Sequence, residues 1–232
     1  MVTANLRRRL LLSRGAGLLA GVAAFSWRIA GASDQQGTDT SPDAVPGSPV
    51  LLVLGDSLSA EYGLARGQGW VALLQQRLAG DASLRRWHVV NASISGETSA
   101  GGLARLPQLL QQYRPDVVLI ELGGNDALQG LSLKALATNL QEMADKAKAA
   151  GSRVILVGMQ VPPNYGPAYA QKFERLFAKV AGQADAPLVP FLMDGFGDDP
   201  TWFQADGIHP LARAHPRMLD NVWPVLRKML RP

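Results

Sequence analysis

The segment Val50-Leu51-Leu52-Val53-Leu54-Gly55-Asp56-Ser57 decides the fold class of this chain of 232 residues. Its first five residues form a continuous apolar run, which ends in Gly-Asp-Ser, a sequence that favours a tight turn. A strand that is apolar on both faces is typical of a parallel sheet with helices on either side. We therefore expect a central strand whose carboxyl end is followed directly by Asp56 and Ser57.

The same alternation of short apolar runs and helical periodicity continues along the chain. Four further strands are predicted at 87–92, 117–120, 154–157 and 187–191. Apolar residues at helical spacing predict helices at 70–78, 102–113, 133–150, 169–184 and 211–230, the last bent at Pro216 and Pro224. The predicted fold class is α/β: a three-layer α/β/α sandwich with a five-stranded parallel sheet, flavodoxin-like in architecture.

Polar segments follow directly after the first three predicted strands. They are Gly55–Ser59, Asn91–Thr98 and Gly123–Asp126, and a fourth, Asp206–Pro210, lies before the last predicted helix. Because the carboxyl ends of parallel strands meet at one edge of a sheet, the first three segments should converge there. Each segment alone is also compatible with a helix cap, a turn or a solvated ion pair, so only their combination indicates a site.

That combination supplies the groups required for acyl transfer by a serine. Ser57 provides a hydroxyl on a tight turn. Asp206 and His209 are three residues apart, so the carboxylate can orient the imidazole and leave its other nitrogen facing Ser57. Gly96 offers an unobstructed backbone N–H and Asn125 an amide, which together with the N–H of Ser57 make three donors for an oxyanion.

In order and spacing, these blocks resemble those of the SGNH (GDSL-type) hydrolases. The resemblance covers about residues 49–231 and rests on Gly55-Asp56-Ser57-Leu58-Ser59, Gly96, Gly123-Gly124-Asn125-Asp126 and Asp206-x-x-His209. Residues 91–106, 121–126 and 206–210 look most like the bacterial multifunctional thioesterase, lysophospholipase and arylesterase subgroup. The resemblance implies the SGNH hydrolase fold and a serine hydrolase that cleaves aryl esters, acyl thioesters or lysophospholipids.

The resemblance also implies a role for each residue of the site. Ser57 attacks the acyl carbon, His209 transfers the proton, and Asp206 orients and stabilises the imidazolium. The backbone N–H groups of Ser57 and Gly96 and the side chain of Asn125 form the oxyanion hole. No metal and no organic cofactor takes part in the reaction of this family.

The sequence around Ser57 lacks one motif of other hydrolases and differs at one position from the subgroup that it resembles. Gly55 and Ser59 stand two residues either side of Ser57, so the Gly-x-Ser-x-Gly elbow of ordinary α/β-hydrolases is lacking. Glu61 stands where the subgroup usually has Gly, and a carboxylate near the pocket mouth would alter which acyl groups or anionic substrates are accepted. Asp56 is expected to support the turn that carries Ser57.

Two loops are expected to line an acyl groove, namely Asp126–Leu131 and Val161–Pro167. Their apolar side chains Leu128, Leu131 and Tyr165 suit an acyl chain, but they suit ordinary packing equally well.

Two other classes of function share this fold. A non-catalytic or carbohydrate-associated binding domain would not need Ser57, Asn125 and His209, all of which are present. A carbohydrate O-deacetylase or an acyltransferase would use the same residues. Hydrolysis of acetyl, butyryl and octanoyl esters separates these possibilities, because a binding domain turns over none of them and a deacetylase only the first.

The first 32 residues predict an export signal. Arg7–Arg9 form a positive start, a largely apolar stretch follows as far as Trp27, and Ala30-Gly31-Ala32 is a small-x-small cleavage pattern. The stretch after Arg14 has about 13 residues, fewer than the roughly 20 that a membrane-spanning helix needs. An uncleaved membrane anchor is the alternative, and the adjacent arginines leave Sec and twin-arginine export both open.

Three segments are therefore expected: a signal peptide at 1–32, a disordered linker at 33–48 and a hydrolase domain at 49–232. The linker is inferred from its richness in Gly, Pro, Asp and Thr. The chain has no cysteine, which excludes disulfides, thiol catalysis and a lipoprotein anchor. The expected location is periplasmic or secreted.

The basic balance of the chain belongs to its N-terminal segment. Of 23 Lys and Arg, five lie in the acid-free first 32 residues, which leaves 18 against 19 Asp and Glu elsewhere. The predicted domain thus lacks the basic surplus that indicates a nucleic acid or anionic membrane partner. The expected partner is a small-molecule acyl ester or thioester, with no stable membrane insertion after signal removal, and the oligomeric state stays open.

Overall fold

The computed structural model describes residues 47–231, so the predicted signal peptide and most of the predicted linker lie outside the described residues. The strands are β1 (Val50–Gly55), β2 (His88–Asn91), β3 (Val117–Glu121), β4 (Arg153–Val157) and β5 (Leu188–Val189). The helices are α1 (Trp70–Gly80), α2 (Ser99–Tyr113), α3 (Gly124–Leu128), α4 (Leu133–Ala149), α5 (Pro167–Gln183) and α6 (His215–Leu230).

All five strands form one parallel sheet in the order β2-β1-β3-β4-β5. Successive side chains of a strand point to opposite faces, so β1 contributes to two cores. Leu52 and Leu54 pack with residues of α2, α4 and α5, whereas Leu51 and Val53 pack with residues of α1 and α6. The predicted three-layer α/β/α sandwich with a five-stranded parallel sheet is therefore confirmed.

The strand order places a crevice at the carboxyl edge of the sheet. The chain runs from β1 outward to β2 and then returns past β1 to β3. The connections after β1 and β3 consequently leave in opposite directions, and the gap between them is where open α/β sheets bind ligands. Asp56 and Ser57 follow β1, and α3 follows β3 after Leu122 and Gly123.

Three elements differ from the sequence-based predictions. The segment Gly124–Leu128, which reads from sequence as a turn or a cap, forms the short helix α3. Strand β5 is limited to two residues. The last helix begins at His215, after a short 3₁₀ turn, so Pro216 lies in its first turn, where a missing N–H costs nothing, rather than at a bend.

Within residues 47–231, no helix combines the length and the apolar character needed to cross a bilayer.

Candidate active site

The turn after β1 presents Ser57 at the carboxyl edge of the sheet. The carbonyl of Asp56 accepts hydrogen bonds from the N–H groups of Ser59 and Ala60, and its Oδ1 accepts from the N–H of Leu58 at 3.0 Å. Asp56 is buried, whereas Ser57 is half-buried. The side chain and the backbone carbonyl of Asp56 therefore stabilise the turn from its buried side, and Ser57 lies on the more exposed side.

His209 lies between Ser57 and Asp206. Its Nε2 is 2.9 Å from Oγ of Ser57, and its Nδ1 is 2.7 Å from Oδ2 of Asp206. With the Nδ1 proton directed at the carboxylate, Nε2 accepts the hydroxyl proton of Ser57. The fold thus brings Ser57 and His209, 152 positions apart in the sequence, into one hydrogen-bonded chain with Asp206.

Local hydrogen bonds keep Asp206 ionised. Partial burial opposes the charge, but bonds donated by the N–H and the imidazole of His209 and by the N–H of Ile208 outweigh it and lower the pKa of Asp206 to about 2. An ionised carboxylate at this position favours the tautomer of His209 that carries its proton on Nδ1. The loop 206–209 therefore orients its own imidazole.

Asn125 bridges the two segments that carry the expected backbone donors. Its Nδ2 donates to Oδ2 of Asp56 and to the carbonyl of Glu97, each at 3.0 Å. Asp56 immediately precedes Ser57, and Glu97 immediately follows Gly96. The amide of Asn125 is therefore fixed between the residue before the serine and the residue after the glycine.

The backbone at Gly96 adopts a conformation that favours glycine. Its φ is +81°, in the left-handed region, whereas an added Cβ would meet nothing within 4 Å. Conformation, not space, therefore explains the glycine at this position. Within the part of the chain that the structure describes, the N–H groups of Ser57 and Gly96 donate no hydrogen bond to another backbone group.

The loop that carries Gly96 is tied to α2 by Arg105. The Nε of Arg105 lies 2.6 Å from Oε2 of Glu97, and its Nη2 donates to the carbonyl of Ala92 at 2.9 Å. Sequence reasoning gave Arg105 no role. The opposite charges of Glu97 and Arg105, one just before α2 and one in its second turn, are the signal that would have revealed it.

The carboxylate of Glu61 points into its own loop. Its Oε1 accepts from the N–H groups of Gly67 at 3.0 Å and Gly69 at 2.7 Å. The sequence suggested a carboxylate that acts on the substrate at the pocket mouth. The structure instead engages this charge with backbone amides of residues 61–69.

The two loops expected to line a groove differ in their exposure. Leu128 is 47% and Leu131 41% exposed, so the first loop presents apolar surface beside the site. Tyr165 is half-buried and stacks on Tyr169, which in turn stacks on the core residue Phe173. Aromatic packing thus explains the presence of Tyr165. Leu128 and Leu131 are exposed, so packing in the core does not explain them.

A pair of buried carboxyl groups lies beneath the nucleophile turn. Glu121, the last residue of β3, accepts on Oε2 from the hydroxyl of Ser59 at 2.6 Å and from the N–H of Asp56 at 3.4 Å. Burial raises the pKa of Asp56 to about 6. Burial and the charge of Asp56 raise the pKa of Glu121 well above its usual range. Sequence reasoning assigned no role to Glu121, although a charge at the end of an apolar strand marked it.

These raised pKa values predict a stability that falls as the pH rises. At Asp56 and Glu121 the folded protein binds more protons than the unfolded chain above about pH 4, where unfolded Asp and Glu titrate, so unfolding releases protons from this pair. The amide of Glu121→Gln mimics the protonated acid and does not titrate. As the pH rises from 4 to above 6, we expect the free energy of unfolding of the wild type to fall relative to that of Glu121→Gln. Urea denaturation at several pH values measures this difference.

The difference between wild type and Glu121→Gln reports on Glu121, and a second variant serves as its control. His215 is buried, which lowers its pKa and gives the opposite slope, but it is common to both proteins and cancels in their difference. Glu142→Gln, which removes an exposed carboxylate on α4, is the matched control for the loss of one carboxylate. Parallel pH profiles for wild type and Glu121→Gln would show that Glu121 has the same pKa in the folded and unfolded states, which would contradict a raised pKa.

The fold and the chain of hydrogen bonds from Ser57 to Asp206 are those of a serine acyl hydrolase on a parallel α/β/α sheet. The model of the GDSL-like lipase/acylhydrolase family matches residues 53–217. The chain belongs to this family, and the resemblance drawn from its sequence blocks is confirmed.

Relatives and a solved structure agree with this assignment. The chain is 56% identical to esterase TesA of Pseudomonas aeruginosa over 181 residues, which cover 78% of this chain and 89% of that protein. It is 43% identical to thioesterase 1/protease 1/lysophospholipase L1 of Escherichia coli K12, over 79% of this chain and 84% of that protein. A crystal structure of TesA matches with a TM-score of 0.74 and 55% identity, over 78% of this chain and 99% of that chain. The predicted enzyme class, an SGNH-type esterase, is confirmed.

Proposed function

We propose that the chain hydrolyses carboxylic esters and acyl thioesters through an acyl-enzyme on Ser57. The supporting observation is the chain of hydrogen bonds, 2.9 Å from Ser57 Oγ to His209 Nε2 and 2.7 Å from His209 Nδ1 to Asp206. His209 takes the hydroxyl proton as Ser57 attacks the acyl carbon, and it then protonates the leaving alcohol or thiol. Asp206 stabilises the imidazolium that forms between these steps. Water, activated by His209 in the same way, releases the acid.

The oxyanion of the tetrahedral intermediate receives three donors in this proposal. The N–H groups of Ser57 and Gly96 supply two of them. The third comes from Asn125, whose Nδ2 lies between Asp56 and the carbonyl of Glu97. One of its N–H groups is shared with the oxyanion as charge develops, a three-centre bond of a kind that is common in proteins. Donors fixed in advance stabilise the transition state without reorganising at the moment of reaction.

Apolar surface at the rim of the site supports an acyl substrate. The large hydrophobic side chains that are exposed within residues 47–231 lie in the segments that follow β1, β2 and β3 or next to His209 in sequence. They are Tyr62, Ile94, Leu128, Leu131 and Ile208. Such a rim suits the hydrocarbon part of an ester. The names of the E. coli relative extend the proposed substrates to acyl thioesters and lysophospholipids.

A substrate panel on the processed protein tests the proposal. We also propose that residues 1–32 direct export and that the mature chain begins at Ser33, so the enzyme is to be purified from the periplasmic fraction and its N-terminus sequenced. We expect turnover of p-nitrophenyl acetate, butyrate and octanoate and of an acyl-coenzyme A thioester. Turnover of acetate alone would indicate a deacetylase, and no turnover of any would indicate a binding domain. Full-length protein in the membrane would contradict cleavage.

A further inference from the structure

Glu61 occupies a backbone conformation that normally belongs to glycine. Its φ is +58°, in the left-handed region, where a side chain is strained. Its carboxylate offsets that strain by accepting from the N–H groups of Gly67 and Gly69, at 3.0 and 2.7 Å. Bonds from backbone amides to a carboxylate are among the stronger hydrogen bonds. The loop 61–69 is thereby closed on itself directly after the nucleophile turn.

The next residue, Tyr62, covers the imidazole of His209. The two ring centroids are 4.2 Å apart and the ring planes are inclined by 36°. Tyr62 is 49% exposed, so its position is not dictated by burial in the core. The conformation of the loop behind it must therefore hold the ring over His209.

Gln204 ties the loop of Tyr62 to the loop of His209. Its Nε2 donates to the carbonyls of Tyr62 at 3.0 Å and Pro210 at 3.2 Å, and its N–H donates to the carbonyl of His209 at 2.8 Å. Gly63 leaves the room for this contact, because its φ is +71° and an added Cβ would lie 2.2 Å from Oε1 of Gln204. The side chain of Gln204 and its backbone N–H thus connect the backbone that carries Tyr62 to the backbone that carries His209.

We propose that Tyr62, held by Glu61 and Gln204, is a positioning residue that restricts the imidazole of His209 to the orientation facing Ser57. This inference rests on the proposed role of His209 as the base. Asp206 and His209 lie in one loop, and the side chain of Asp206 is 38% exposed. The loop alone therefore surrounds the imidazole incompletely, and a further residue is needed to fix its orientation. The hydrogen bond from His209 to Asp206 leaves the ring able to tilt about that bond, and the face of Tyr62 limits the tilt.

The aromatic face predicts a specific order among substitutions of Tyr62. Tyr62→Phe keeps the ring and should retain kcat within about twofold. Tyr62→Leu keeps apolar cover without a ring face and should lower kcat by about 2- to 10-fold, the range expected for one aromatic pair. KM for p-nitrophenyl acetate should stay within about twofold, because a small acetyl ester does not need the rim.

A nuclear magnetic resonance measurement tests the geometry without turnover. The chain has three histidines, so the imidazole signals of His209 are assigned by comparison with His209→Gln. The ring current of Tyr62 should shift these signals in the wild type and in Tyr62→Phe, and the shift should vanish in Tyr62→Leu. Loss of the shift together with the loss of kcat would support the proposal.

Variants of Glu61 test how the ring is held. Glu61→Ala keeps the strained φ and removes the carboxylate bonds, so it should weaken the ring-current shift and lower kcat as Tyr62→Leu does. Asp81→Ala is the matched control, because Asp81 also accepts a backbone N–H within a loop, that of Ser83 at 2.9 Å, away from the site. It should leave both kcat and the signals of His209 unchanged.

Two results would overturn the inference while the proposed function stands. The first is wild-type kcat for Tyr62→Leu, with only KM for the octanoyl ester raised, which would make Tyr62 a rim residue alone. The second is an unshifted His209 signal in the wild type. In either case Ser57→Ala should still be inactive, whereas activity in Ser57→Ala would instead remove the proposed function itself.

Discussion

Replacing Ser57 by Ala should lower kcat on aryl esters by a factor on the order of 10⁶, the loss seen when a serine nucleophile is removed. The hydroxyl is the group that bonds to the acyl carbon, and no cysteine exists to replace it. Folding should be little affected, because Ser57 is half-buried and its side chain bonds only to His209 among the described residues. Steady-state kinetics and thermal melting of both proteins measure the two effects.

Ser57 and His209 are expected to act as one unit, because their side chains are joined by a hydrogen bond of 2.9 Å. His209→Ala should lower kcat about as far as Ser57→Ala, and the double variant should be little worse than either, because groups that act together are not additive. His88→Ala, on β2, is the matched control and should retain wild-type kcat. Losses that multiply in the double variant would mean that the two residues act in separate steps.

Replacing Asn125 by Ala should lower kcat by roughly 10²–10³, the usual effect of losing one oxyanion donor. The loss should fall on kcat, because the amide binds the oxyanion more strongly than the ground-state carbonyl, and KM should change little. If Asn125 were only a structural residue of α3, the variant would lose stability and keep its activity per folded molecule.

Asn125 also contributes to stability, and this contribution must be distinguished from its effect on kcat. Its bonds to Asp56 and Glu97 are lost in the variant, so a lower melting temperature is expected as well. Asn139→Ala is the matched control, because its Nδ2 donates to Ser99 at 2.9 Å within the same region. It should lower the melting temperature and leave kcat within a few-fold. Equal losses of kcat in both variants would remove Asn125 from the oxyanion hole.

Topology made the location of the site predictable. Apolar runs such as 50–54 and 117–120 reveal strands that are buried on both faces, and a parallel sheet brings their carboxyl ends to one edge. The residues after β1, β2 and β3 therefore had to be neighbours, whatever the details of the loops. The prediction that Ser57, Gly96 and Asn125 lie close together required only the parallel sheet and their positions after these strands.

Contacts between loops were not predictable in the same way. The turn of Glu61 depends on amides six and eight residues further on, and Gln204 reaches Tyr62 across 142 positions. No periodicity reports such contacts, because each depends on the path of a loop rather than on a repeating pattern. The role of Glu121 was hidden for another reason, since a buried carboxyl group contradicts the rule that charges stay exposed. Its hydrogen bonds from the hydroxyl of Ser59 and the N–H of Asp56 are visible only in the structure.

Covalent labelling tests the central claim, that Ser57 is the nucleophile, most directly. The purified enzyme is treated with a p-nitrophenyl phosphonate ester, and the labelled peptide is identified by mass spectrometry. We expect one adduct per chain, on Ser57, with loss of activity in proportion to labelling and no adduct on Ser57→Ala. An adduct on another residue that abolishes activity, or a Ser57→Ala protein that is labelled and still hydrolyses esters, would contradict the account.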